Sequence, residues 1–149
     1  MLITGKVKLV CHDRNGNLIW ETPKMKNVIT NEGKAQMALL AGSTGTSFTY
    51  LALGSGSTAE AATQTALTAE IVVNNLTRHT TTVSRTTTTT TNDTCRLTYT
   101  WTASGTSTIE EVGAFNDSSA GTMLGRKLTG SKTVNSTEQL TATYDFIFS

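Results

Sequence analysis

The residues that could do chemistry in this chain are few and badly spaced for it. His12 and His79 are the only side chains that titrate near neutrality unaided. No G-x-S-x-G elbow offers a serine nucleophile. Cys11 precedes His12 directly, but adjacent residues of a strand point to opposite faces, so the two do not form a thiolate–imidazole pair. Two cysteines and two histidines without C-x-x-C or H-x-x-x-H spacing do not make a zinc site. Glu110-Glu111 is the only carboxylate pair within a strand-like run, and its members diverge for the same reason as Cys11 and His12. Paired acid/base work would need a second carboxylate from elsewhere. One of the two is expected in solvent and the other against Arg126, Lys127 or Arg85.

Two further patterns imitate binding motifs. Asp13, Asn15 and Asn17 have the spacing of the first calcium-loop ligands, but the loop's glycine and closing glutamate positions hold Leu18 and Lys24. Gly54-Ser55-Gly56-Ser57-Thr58-Ala59 matches a relaxed G-x-G-x-x-A. The dinucleotide fingerprint needs a helix directly after it and alternating α and β elements, and neither is expected here. The reading is therefore of a non-enzymatic protein with no catalytic residue, no cofactor and no metal.

What the sequence offers instead is threonine, at 32 of 149 positions, with an unbroken run from Thr86 to Thr91. Threonine is β-branched and favours extended backbone. Mucin-like stalks combine such runs with proline, and Pro23 is the only proline here. A threonine-lined strand presents hydroxyls and methyls but no acid or base, which suits a surface that meets other surfaces. Charged residues make up only 15% of the chain and the net charge is +1, so no basic field is available for nucleic acid. No stretch approaches the roughly 20 apolar residues of a membrane-spanning helix. The start, Met1 to Lys6, does not read as a signal peptide, so synthesis in the cytoplasm is expected. Cys11 and Cys95 are expected as buried free thiols, with a bridge as the alternative. The sequons at Asn75, Asn92, Asn116 and Asn135 read as by-products of composition.

The elements follow from periodicity. Lys6–Val10 and Leu18–Glu21 flank Asn15-Gly16, a hairpin signal in which both turn residues tolerate positive φ. One helix is expected at about 31–41, capped by Thr30 or Asn31, stopped at Gly42 and weakened by Gly33. Phe48–Leu53 reads as a buried strand, and residues 58–73 as a surface loop that passes into extended chain. Leu76–Thr91 is expected to be one long extended stretch turned by Asn92-Asp93. Cys95–Ala103, Ile109–Phe115, Met123–Leu128 and Glu138–Phe148 complete the strands, with Gly130-Ser131 ending the third of these. Leu97, Tyr99 and Trp101 share one face, as do Leu140, Ala142, Tyr144, Phe146 and Phe148. The fold class is mainly β: an antiparallel sandwich or barrel-like domain of about eight strands with one short helix. It spans residues 1–149 as one domain, with the N-terminal hairpin (about 5–22) as a candidate arm.

Five segments come in a suggestive order: Asn27-Val28-Ile29-Thr30-Asn31-Glu32-Gly33, Tyr50 to Gly56, Thr65 to Ile71, Ile109 to Asn116, and Gly121 to Arg126. Their patterns N-x-x-T-x-x-G, A-x-G-x-G and E-x-G-x-F resemble small structural proteins of tailed bacteriophages and are similar to the collar-attachment domain of phage tail fibres. The resemblance covers roughly residues 27–128. A tail fibre continues into a long repeat-rich shaft that this chain lacks. The resemblance implies a stand-alone virion module, first a capsid decoration or cement subunit that bridges its neighbours. The alternative is a neck, collar or tail-fibre attachment protein. It also implies a virion location, other virion proteins (major capsid, neck or tail) as partners, and self-assembly, with a trimer expected first. Gly113 and Glu111 read as architectural. A host-glycan-binding adhesion module stacking sugars on Trp20 or Trp101 is a third reading. Candidate subunit contacts are Thr86, Thr87, Thr88, Thr89, Thr90 and Thr91 together with Asn15 and Trp20 of the hairpin.

Overall fold

The computed structural model describes residues 2–149 and shows two antiparallel sheets packed face to face, with one helix closing an end. Its strands are β1 (Ile3–His12), β2 (Leu18–Glu21), β3 (Met25–Lys26), β4 (Val28–Ile29), β5 (Tyr50–Gly54), β6 (His79–Thr80), β7 (Thr82–Thr86), β8 (Thr94–Thr102), β9 (Ser107–Phe115), β10 (Met123–Val134) and β11 (Gln139–Phe148). The helix α1 is Asn31–Ala41. Eight of the strands have four or more residues; the other three are two-residue pieces. The first sheet runs β2-β1-β11-β8-β7 with β3 also on β1, and the second runs β4-β10-β9-β5-β6. The expected β-sandwich is what forms.

The alternating pattern does the sorting. Val7, Leu9 and Cys11 of β1, Leu97 and Trp101 of β8, and Leu140, Ala142, Tyr144 and Phe146 of β11 turn inward. They meet Leu51, Leu53, Ile109, Val112 and Ala114 of the second sheet. Both thiols are free; Cys11 is buried and Cys95 is partly so. The outward faces of the two sheets differ. The long excursion between β5 and β6 folds back over the second sheet, where Leu67 packs with Ala52, Phe115 and Met123 in a small separate cluster. On the outward face of the first sheet Thr94, Asp145 and Ile147 are buried, while Thr82, Ser84 and Thr100 are exposed.

Helix α1 begins where expected. The Thr30 hydroxyl accepts from the Gly33 N–H at 2.9 Å and donates to the Met123 carbonyl, which ties the cap to β10. Gly33 was expected only to weaken the helix, but it is what lets the helix close on the sheet: a Cβ there would stand 2.7 Å from the Leu124 backbone. At the other end Gly42 has φ −88°, and Ser43, at φ 59°, takes the left-handed position expected of the glycine.

Three further expectations change. In the first hairpin only Gly16 is left-handed (φ 86°). The Gly16 N–H bonds to the Asp13 carbonyl and the Asp13 N–H to that of Asn17, so the loop is a three-residue turn with a glycine bulge rather than a two-residue one. Gly130, at φ 69°, does not end β10; the register with β9 shifts between Leu128 and Lys132 and the strand resumes. A left-handed glycine inserts a bulge as readily as it stops a strand. Finally, Leu76–Thr91 is not one extended stretch. The chain turns at Asn74 and Asn75 (φ 58° each), gives β6 to the second sheet, crosses over, and gives β7 to the first. Strand structure stops at Thr86, and Thr87–Asp93 is a loop.

Candidate functional site

The threonine run is shaped by one carboxylate. Asp93 accepts from the N–H groups of Thr88, Thr89 and Thr90 at 2.7–2.8 Å and from the Thr89 hydroxyl at 2.8 Å. The Thr87 hydroxyl accepts from the Asn92 N–H, and that of Thr88 meets the Thr94 hydroxyl at 2.7 Å. A nearby acceptor offers backbone amides an alternative to a β-ladder, and here it wins. The Thr90 amide, foremost, and those of Thr89 and Thr88 hold the Asp93 carboxyl well below its ordinary range. Thr87–Thr91 therefore form an exposed, pre-shaped loop at the end of β7, while Thr86 belongs to the strand itself.

The other candidate contacts lie elsewhere. Asn15 is exposed at the tip of the first hairpin, where Asp13 accepts from the Asn15 and Asn17 N–H groups and from the Asn17 side chain. These bonds, that of the Asn17 side chain foremost, hold the Asp13 carboxyl below its usual value. Trp20 is half-buried: its indole N–H donates to the Thr133 carbonyl at 2.8 Å, and the Lys132 ammonium stands 5.9 Å from its ring centre. It clasps the hairpin to β10. Trp101 is 1% exposed and donates to the Thr77 carbonyl, so its ring is core and offers no platform.

The buried charges are spent internally. Glu111 and Arg126, both sealed from solvent, meet at 2.6 Å. The Glu111 carboxylate also accepts from the N–H groups of Gly56, Thr68 and Ala69, while Arg126 also donates to the Thr58 carbonyl and the Gln64 side chain. A Cβ at Gly54 or Gly56 would lie 2.5 or 2.6 Å from the Glu111 carboxylate, so the two glycines of the A-x-G-x-G stretch make room for it. Gly113 makes room for Leu67 in the same way, with 2.9 Å to its side chain. Arg78 lies 3.6 Å above the Phe115 ring and binds Glu70 through two hydrogen bonds. Asp145, on the outward side of β11, is covered by Arg96 and Lys24, each at 2.7 Å. Burial pushes the Asp145 carboxyl up, but the hydrogen bonds and charges of Arg96 and Lys24 outweigh it and leave it lowered. Burial, with Glu138 beside it, pushes the Cys11 thiol up to about 12. Among the described residues no group of three or more His, Cys, Asp or Glu side chains could hold a metal ion.

The outward face of the first sheet remains. Its rows cross four strands as Lys8–Thr143–Thr98–Thr82 and three as Val10–Thr141–Thr100. Thr100 and Thr141 share a hydroxyl–hydroxyl bond of 2.7 Å. Between these rows and the Thr87–Thr91 loop runs the row Lys6–Asp145–Arg96–Ser84, which carries the ion pair of Asp145 and Arg96. The loop was prominent in the sequence as a run; the face was present only as every second residue of three separate strands. Asp145 carried no local signal, because Lys24 and Arg96 reach it only through tertiary placement, whereas the partners of Asp93 lie three to five residues before it.

No protein-family model, no curated protein and no solved structure matches this chain.

Proposed function

We propose that this chain is a non-enzymatic structural subunit of a tailed-bacteriophage virion, a capsid decoration or cement protein that works by bridging neighbouring subunits. The observation that carries this reading is the convergence of the five ordered segments that resemble phage structural proteins. Thr30 and Gly33 seat the helix on Met123 and Leu124. Gly54, Gly56, Thr68, Glu111 and Arg126 meet in one buried network. The patterns are therefore structural devices of the sandwich, as a docking module requires, and the deeply buried carboxylates Glu111 and Asp145 already hold cationic partners. The outward face of the first sheet combines threonine rows with charges already paired to one another, Asp145 with Arg96 and Lys24 and Lys8 with Glu21, and such a face suits contact with protein.

The neck, collar or tail-fibre attachment site is the second location that the same resemblance favours. The adhesion reading loses support from the burial of Trp101 and from the internal clasp made by Trp20. Cryo-electron microscopy of the particle encoded with this chain tests the proposal. Sandwich-shaped density spanning capsid subunits is expected; density at the neck would move the role to the second location. Absence of the chain from purified particles by mass spectrometry would remove the virion role altogether.

A further inference from the structure

The parity of β8 shows which backbone groups of the β7 edge are free. At one end of β8 the Asp93 carbonyl accepts from the Phe148 N–H; at the other the Ala103 N–H donates to the Glu138 carbonyl. The register between β8 and β11 is unbroken from Thr94 to Thr102. Odd-numbered residues of β8 thus direct their N–H and C=O groups at β11, and even-numbered ones at β7. Even residues Thr94, Arg96 and Thr98 face Thr86, Ser84 and Thr82. It follows that Val83 and Arg85 turn their N–H and C=O groups away from the sheet. Among the described residues no other backbone or side-chain group meets them.

An edge of this kind is normally protected by proline, lysine, a bulge or a cover. β7 reads Thr82-Val83-Ser84-Arg85-Thr86, has an unshifted register and carries no proline, lysine or bulge; the exposed Arg85 is its one charge. Val83 is 48% exposed on the inward-facing side, where it borders an apolar cavity of about 200 Å³ lined by Met37, Leu40, Phe48, Cys95 and Phe148 among others.

We propose that β7 is a homodimerisation edge on which a second copy of this chain pairs antiparallel about a two-fold axis at Ser84. Val83 then faces the partner's Arg85 as a hydrogen-bonded pair, and the symmetric pair doubles the set to four main-chain bonds. Ser84 faces the partner's Ser84, and Thr82 the partner's Thr86, so hydroxyls oppose hydroxyls on the outward face. Like charges never stand directly opposite, whereas a register centred on Arg85 would set the two guanidiniums against each other. The methylene stem of the partner's Arg85 lies over Val83 at the rim of the apolar cavity. The two six-stranded sheets become one, and the outward rows of threonine on each side of the Ser84 axis become continuous with each other. This rests on the reading of the chain as an assembling subunit, and it replaces the expected trimer by a two-fold unit.

Sedimentation of the purified full chain with five single-residue variants tests it. The wild type is expected to dimerise. Ser84→Cys is expected to give an inter-chain disulfide on mild oxidation, because non-hydrogen-bonded antiparallel pairs bring the two Cβ atoms closest, while Arg85→Cys does not. Val83→Pro removes only an outward N–H, which an edge strand tolerates; it is expected to weaken the dimer by about tenfold to a hundredfold with an unchanged circular dichroism spectrum. Ser84→Lys and Ser84→Glu are each expected to be monomeric alone and to form a mixed dimer together. A monomeric or trimeric wild type would overturn the proposal, as would a dimer indifferent to Val83→Pro and uncrosslinked by Ser84→Cys. Imaging of the particle decides the virion role separately, so either idea can fail while the other stands.

Discussion

Arg126 Nε lies 2.6 Å from Glu111 Oε2, with both side chains out of reach of water and on adjacent strands of the second sheet. This pair anchors the excursion between β5 and β6 to the sheet. Breaking a buried pair from one side strands the other charge, at a cost of about 3–5 kcal/mol. Glu111→Gln and Arg126→Met are each expected to lower stability by about that amount in urea titrations. Replacing both by apolar residues is not expected to restore it, because the amides of Gly56, Thr68 and Ala69 lose their acceptor as well. Full recovery in the double variant would show that the excursion does not depend on the carboxylate.

At Gly33, helix propensity and packing oppose each other. Alanine would favour the helix by about 1 kcal/mol, but its Cβ would meet the Leu124 backbone at 2.7 Å. Overpacking against backbone costs about 1–3 kcal/mol. Gly33→Ala is therefore expected to lower the melting temperature, and a raised one would mean that α1 can lift from β10 freely.

Asp145 has its carboxyl lowered in the folded state by Arg96 and Lys24. The unfolded chain then holds the proton more tightly than the folded one, so the contribution is complete above about pH 4. It is lost as pH falls through the folded value. Asp145→Asn is expected to flatten the acid limb of a stability–pH curve and leave its slope near neutrality unchanged. An unaltered acid limb would show that the Arg96 and Lys24 contacts are too solvated to matter.

Cys11, with its thiol raised to about 12 by burial and Glu138, holds only about one part in ten thousand as thiolate at pH 8. Iodoacetamide is expected to leave Cys11 unmodified in the folded protein and to label it after denaturation, read by peptide mass spectrometry. Rapid native labelling would mean that the β1–β2 end of the sheet opens readily.

Asp93→Ala removes the acceptor of three consecutive amides. Amide exchange is expected to accelerate at Thr88, Thr89 and Thr90 and to stay unchanged in β8 beyond Arg96. Protection that survives the substitution would place the order of the loop in the threonine side chains themselves.

The sequence by itself determined the layers. Alternation in β8 and β11 assigned inward and outward faces correctly, because a pleated strand has a period of two and only one side of it can be desolvated. It also placed α1 and narrowed its cap to Thr30 or Asn31, of which the structure uses Thr30, since a cap is a contact between residues three apart. It named Arg126 among three basic partners for one member of Glu110-Glu111 but could choose neither the glutamate nor the partner, because neighbouring strands can be set in several registers. Only the tertiary structure decided where the threonine run stops being strand, since the Thr88–Thr90 amides choose between a ladder and Asp93 according to what the β7–β8 turn brings near. It alone showed Gly33, Gly54 and Gly56 as sites of close approach, for the helix backbone at the first and the Glu111 carboxylate at the other two. The free edge of β7 was likewise invisible beforehand: which amides are left over depends on the partner strand's parity, and parity is a property of the assembled sheet.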